Sequence, residues 1–147
     1  MLKLLSLPAA LAALSGAAMA LQGTLNSQLT QKTSLLTSTL TVHIIGTLTA
    51  LLAVVIWKAP FIQIKWLEIP WYLYLGGILS VAIIALVAFT IAKIGVCNAT
   101  TAIIVGQVGI AILIDHFGLL GVQRIPWNPG QILGLILFAA GAKLLFR

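Results

Sequence analysis

Charge is scarce in this sequence, and negative charge is scarcer still. Ten of its 147 residues are Asp, Glu, Lys or Arg, eight basic and two acidic, where a soluble domain carries about a quarter. A water-facing surface cannot be built from so few. Cysteine is nearly missing as well. Cys97 stands alone, which excludes an intrachain disulfide, a cysteine-based zinc site and an iron–sulfur cluster. Nor is there a Walker loop, a dinucleotide fingerprint, or a His/Asp/Glu cluster at metal-ligand spacing. Ser, His and Asp occur, but never as nucleophile, base and orienting group at a recognisable spacing. The chain therefore reads as a non-enzyme with no cofactor and no metal. The net charge of +6 does not point to nucleic acid, because the cations sit singly at the ends of apolar runs, where they can reach lipid headgroups, and form no stripe that could track phosphates.

What is present is apolar: 61% of residues are hydrophobic and the mean hydropathy is +1.18. The lipid bilayer is the expected solvent. Hydrocarbon about 30 Å thick, crossed at about 1.5 Å per residue, requires roughly 20 apolar residues. Five segments qualify, at about 4–29, 35–57, 71–92, 99–115 and 129–146, the last being the shortest. The expected fold is an all-α integral membrane protein, with residues 1–147 forming one transmembrane domain of five helices. Pro70 just before the third segment and Pro129 at the start of the fifth are residues that helix first turns favour. The connections Lys58–Pro70 and His116–Asn128 are too short to hold a further domain. One competing reading concerns the N-terminus, where Lys3, an apolar run and Ala18-Met19-Ala20 match a cleavable signal peptide. The run continues through Leu29, longer than such a segment needs, so a retained first helix is expected.

Polar residues inside the spans are the best guide to function, since hydrocarbon penalises each one that lacks a partner. Gln22 is seven residues from the end of the first segment, His43 eight from the start of the second, and Gln107 eight from the start of the fourth. All three fall at one level, about 11 to 12 Å deep. Asn26 lies one turn from Gln22 on the same face. Two readings stay open: Gln22, Asn26, His43 and Gln107 line a path for a small molecule, or they bond between helices at about 1 kcal/mol or less per pair. His43 is the only imidazole at depth. It is a candidate to exchange a proton or meet an anion; the alternative is a neutral ring satisfied by the hydroxyls of Thr39, Thr41 or Thr47. Asp115 and His116, at the end of the fourth segment, are candidates for a proton relay or gate, against a surface ion pair of Asp115 with Arg124.

Small residues repeat at four-residue spacing: Ala12, Gly16 and Ala20; Gly76 and Ser80; Gly130 and Gly134. This spacing allows helices to approach closely. All four tryptophans, Trp57, Trp66, Trp71 and Trp127, lie at the membrane end opposite Lys32 with Tyr72 and Tyr74, the pattern of an interfacial belt. Five spans leave Lys3, Lys58, Lys65 and Arg124 on one side and Lys32, Lys93, Lys143 and Arg147 on the other. Cytoplasmic loops normally hold the excess of cations. Four against four specifies neither orientation. Copies inserted both ways would assemble as an antiparallel homodimer of ten helices, the two-chain counterpart of inverted transporter repeats.

Several stretches carry a resemblance: Gln22-Gly23-Thr24-Leu25-Asn26, Gly46, Gly106-Gln107, Ile114-Asp115-His116-Phe117-Gly118-Leu119-Leu120-Gly121 and Leu133-Gly134. Across nearly the whole chain they resemble the YdcZ-type small membrane proteins of the drug/metabolite transporter superfamily. The resemblance implies a five-helix exporter in the bacterial inner membrane, in a family with single, paired and fused inverted copies. The turn Gln31-Lys32-Thr33-Ser34 departs from it by lacking a glycine. The small multidrug pumps of that superfamily rely on a glutamate in the first helix, and no carboxylate is expected to be buried in any span here, Asp115 standing at the very end of the fourth. A neutral, zwitterionic or amphipathic substrate moved by alternating access is therefore expected. The rival from another class is a non-transporting membrane subunit that packs on a partner through its Gly/Ala faces. An open pore fits less well, because the third and fifth segments are almost wholly apolar.

Overall fold

A computed structural model describes residues 6–61 and 63–146. It is 84% helical, with no strand among the described residues. Five helices follow in order: α1 Leu7–Lys32, α2 Leu35–Ile56, α3 Leu75–Ile94, α4 Val96–Phe117 and α5 Pro129–Leu145. Four segments, with Trp71–Tyr74 counted into the third, are long and apolar enough to cross a membrane; α5 has 17 residues. Lys3 and Arg147, both used in the charge count, lie outside the described residues.

The helix ends differ from the expected ones for local reasons. Helix α1 runs three residues past Leu29, because Thr33 N–H and Thr33 Oγ1 both donate to Leu29 O, at 3.0 and 2.8 Å. Ser34 then caps α2 by accepting from Thr37 N–H at 3.2 Å. Two hydroxyl residues thus make the turn without a glycine. Trp71–Tyr74 is a 3-10 turn ahead of α3 rather than its first α-turn. Helix α4 starts at Val96 instead of 99, directly after Gly95, and ends at Phe117 because Gly118 adopts φ +63, the left-handed conformation that closes helices.

The chain divides into two compact units, Met1–Ala92 and Lys93–Arg147, each taken by itself. In both, lipid rather than water is the solvent the side chains fit. Among the described residues the buried ones are Gly23, Ala88, Ile91, Ala99 and Ala142 together with Asn26, Ser27, Ser38, Thr39 and Thr101, while most leucines and isoleucines of the helices are exposed. A soluble core buries the opposite set; small and hydroxylic residues between helices are the membrane pattern.

In the first unit α1 packs against α2, Ser27, Ser38 and Thr39 are buried, and Thr30 Oγ1 meets Ser38 Oγ at 2.6 Å. Thr24, Thr39, Thr41, Thr49 and Thr90 each donate to the carbonyl four residues earlier, at 2.6 to 2.8 Å. These hydroxyls are satisfied within their own helices, so they can sit at lipid depth. Between α2 and α3 the loop is knotted by aromatics. Trp66 Nε1 donates to Phe61 O at 3.2 Å and Tyr74 Oη to Trp66 O at 2.7 Å, with the Phe61 and Trp66 rings 5.0 Å apart. Lys65 Nζ meets Glu68 Oε1 at 2.8 Å, both side chains largely exposed.

In the second unit α5 packs on α4, and the buried residues are Ala99, Thr101 and Ala142. Asn128 and Gln131 form a reciprocal capping box at the start of α5.

Candidate functional site

Gln22 of α1, His43, Gly46 and Thr47 of α2, and Ser80 and Ile84 of α3 line one open groove of about 350 Å³ in the first unit. Each arrives there for a local reason. Gly23, next to Gln22, brings α1 onto α3: a Cβ built on it would stand 2.8 Å from Ile91 Cδ1 and 2.9 Å from Val87 Cγ1. His43 and Thr47 are one turn apart and share a face. Gly46 between them leaves the wall open. Gln22 lies ten residues before Lys32 and His43 eight after Leu35, so the groove sits about 12 to 15 Å from those helix ends, near the middle of a ~30 Å hydrocarbon layer.

His43 is half-buried and spans two helices. Its Nδ1 lies 2.8 Å from Thr39 O and its Nε2 3.1 Å from Ser80 Oγ. The expected partners were threonine hydroxyls; those of Thr39 and Thr41 are turned to their own helix carbonyls instead, so the ring takes a backbone carbonyl on one side and a serine of α3 on the other. Ser80 Oγ in turn donates to Gly77 O at 2.7 Å. By its spacing from Gly76, Ser80 has the pattern of a small packing residue. Its being the one serine of α3 is the signal for its polar role.

The remaining expected residues divide. Asn26 is 7% exposed and buried, one turn beyond Gln22 and not among the groove residues. Gln107 belongs to the second unit and is exposed on α4. Asp115 and His116 lie at the end of α4, where the loop folds back on them. Ile125 N–H donates to Asp115 O at 2.8 Å and Arg124 Nε to His116 O at 3.0 Å. Arg124 thus caps the His116 carbonyl, which a cation at a helix C-terminus favours, and makes no ion pair with the Asp115 carboxylate. The His116 ring stands edge-on to Phe117 and Trp127, with centroids 4.8 and 6.1 Å away. Among the described residues no group of three or more His, Cys, Asp or Glu could hold a metal ion.

Four helices long and apolar enough to cross a bilayer, with a small polar groove in the first unit, define a multi-pass α-helical membrane protein. A family model described as "Putative inner membrane exporter, YdcZ" matches residues 7–144, and the chain belongs to this family. It is a multi-pass protein of the inner membrane. No curated protein and no solved structure matches the chain.

Proposed function

We propose that the chain is a secondary exporter of small neutral, zwitterionic or amphipathic molecules, working by alternating access as an antiparallel homodimer in which the five helices of each copy act as one transmembrane domain. The groove carries this reading. Polar groups from three helices converge at mid-membrane depth, at a volume near the lower end for small-molecule sites. No carboxylate lines it, so a lipophilic cation would meet no countercharge. Gln22, Asn26, His43 and Gln107 are assigned to the path, and Asp115 and His116 to a gate at the end of α4. Support for the inverted pair comes from the four-to-four cation balance.

The test uses purified protein alone in vesicles loaded with an isotope-labelled extract of small metabolites and diluted into empty buffer. Mass spectrometry should show selective loss of neutral or zwitterionic compounds, slowed by Gln22→Leu. Retention of every compound would favour the non-transporting subunit.

A further inference from the structure

We infer that His43, Thr39 and Ser80 form a proton-binding site whose occupancy re-aims the Ser80 hydroxyl at the wall of the groove. Three contacts meet there: His43 Nδ1 to Thr39 O at 2.8 Å, His43 Nε2 to Ser80 Oγ at 3.1 Å, and Ser80 Oγ to Gly77 O at 2.7 Å. Carbonyl oxygens only accept. The first contact therefore needs a hydrogen on Nδ1, and the third uses the single hydrogen of the Ser80 hydroxyl. A neutral imidazole has no hydrogen left for the second.

Each neutral form breaks one contact. With the hydrogen on Nδ1, Ser80 must turn its own hydrogen to Nε2 and release Gly77 O. With the hydrogen on Nε2, a bare Nδ1 lone pair faces the Thr39 carbonyl at 2.8 Å, which is repulsive. The imidazolium satisfies all three. On filling, a hydronium ion delivered through the groove gives its proton to Nε2, one N–H bond forms, water is left, and the Ser80 hydrogen swings from Nε2 to Gly77 O. Emptying reverses each step.

The surroundings make this a site that fills and empties. From α1 the groove receives Gln22, from α2 Thr47 beside His43 itself, and from α3 Ser80; among the described residues no charged side chain and no second titratable one lines it. The charged groups of these helices, Lys32, Lys58 and Lys93, stand at or beyond the helix ends. Among the described residues the added charge is held by the Thr39 carbonyl and the Ser80 hydroxyl, without a fixed ion pair that would lock it in place. Use of this proton as the coupling ion rests on the exporter reading above.

Nuclear magnetic resonance of ¹⁵N-histidine protein in lipid nanodiscs tests the site. His116→Gln leaves one imidazole, since the chain has two histidines. The His43 ring should pass between one-proton and two-proton forms within about pH 5 to 9. Ser80→Ala should weaken proton binding about tenfold, the worth of one hydrogen bond from a charged donor, and Ser80→Thr, which keeps the hydroxyl, should restore it. A ring that holds one charge state across that range overturns the proposal. So does a Ser80→Ala protein that binds the proton as the parent does, or a Ser80→Thr protein that behaves like the alanine variant. No cargo is needed for this readout, so its failure leaves the exporter reading standing. A titrating His43 in a protein that releases nothing would sink the exporter reading alone.

Discussion

The backbone of α1 at Gly23 and the side chain of Val87 on α3 are so close that a Cβ on Gly23 would fall 2.9 Å from Val87 Cγ1. Valine in a helix keeps essentially one rotamer, so it cannot turn aside as the tip of Ile91 can. Gly23→Leu should therefore destabilise the first unit by about 1 to 3 kcal/mol, the usual cost of overpacking, read as a lowered Tm in detergent. Gly16→Leu is the control, because among the described residues nothing beyond its own stretch of helix backbone lies within 4 Å of a Cβ there. Equal loss in both variants would remove the α1–α3 contact as the cause.

His43→Gln keeps hydrogen-bonding groups at the groove but removes the exchangeable ring proton. Efflux from vesicles should lose its dependence on pH while persisting at a reduced rate. Should the pH profile survive the substitution, His43 is a strut between α2 and α3 and the coupling group lies elsewhere.

At the end of α4, Gly118 holds φ +63 with Arg124 Cβ 3.2 Å from where its own Cβ would be. Gly118→Ala combines a left-handed alanine with this crowding, at a cost of about 1 to 2 kcal/mol. Thermal unfolding should show the loss. Arg124→Ala should show a smaller one, because only the cap on His116 O is removed.

Cys97 is an exposed free thiol in the first turn of α4. A membrane-impermeant maleimide on intact spheroplasts should label roughly half the protein, because the cation balance gives the insertion machinery no preferred direction. Two lysines added beside Lys32 should lower that fraction, and two beside Lys3 should raise it. Labelling of nearly all or nearly none of the protein would end the inverted-pair reading and leave a fixed orientation.

Helix number and approximate placement were legible in the sequence because apolar length alone decides what can cross a bilayer. The ends were less so. Nothing in Gln31-Lys32-Thr33-Ser34 announces a turn by glycine or proline; the turn is made by hydroxyl caps, visible only once the backbone is placed. His43 was legible as the one deep imidazole, but its partners were not. Thr39 contributes a carbonyl that every residue has, and Ser80 is brought in from 37 positions away by α3. Arg124 was paired with Asp115 by charge, whereas the fold-back after Gly118 presents it with bare helix carbonyls, which no residue type encodes.

Helix α5 has 17 residues, about 25 Å at the α-helical rise and some 5 Å less than an average hydrocarbon layer. Crossing it, as the five-span reading requires, calls for local thinning of the bilayer around the second unit. On that reading the protein should respond to lipid acyl-chain length. Transport in vesicles of shorter-chain lipids should outpace that in longer-chain ones, and in a mixed bilayer the molecule should gather the thinner lipids around itself.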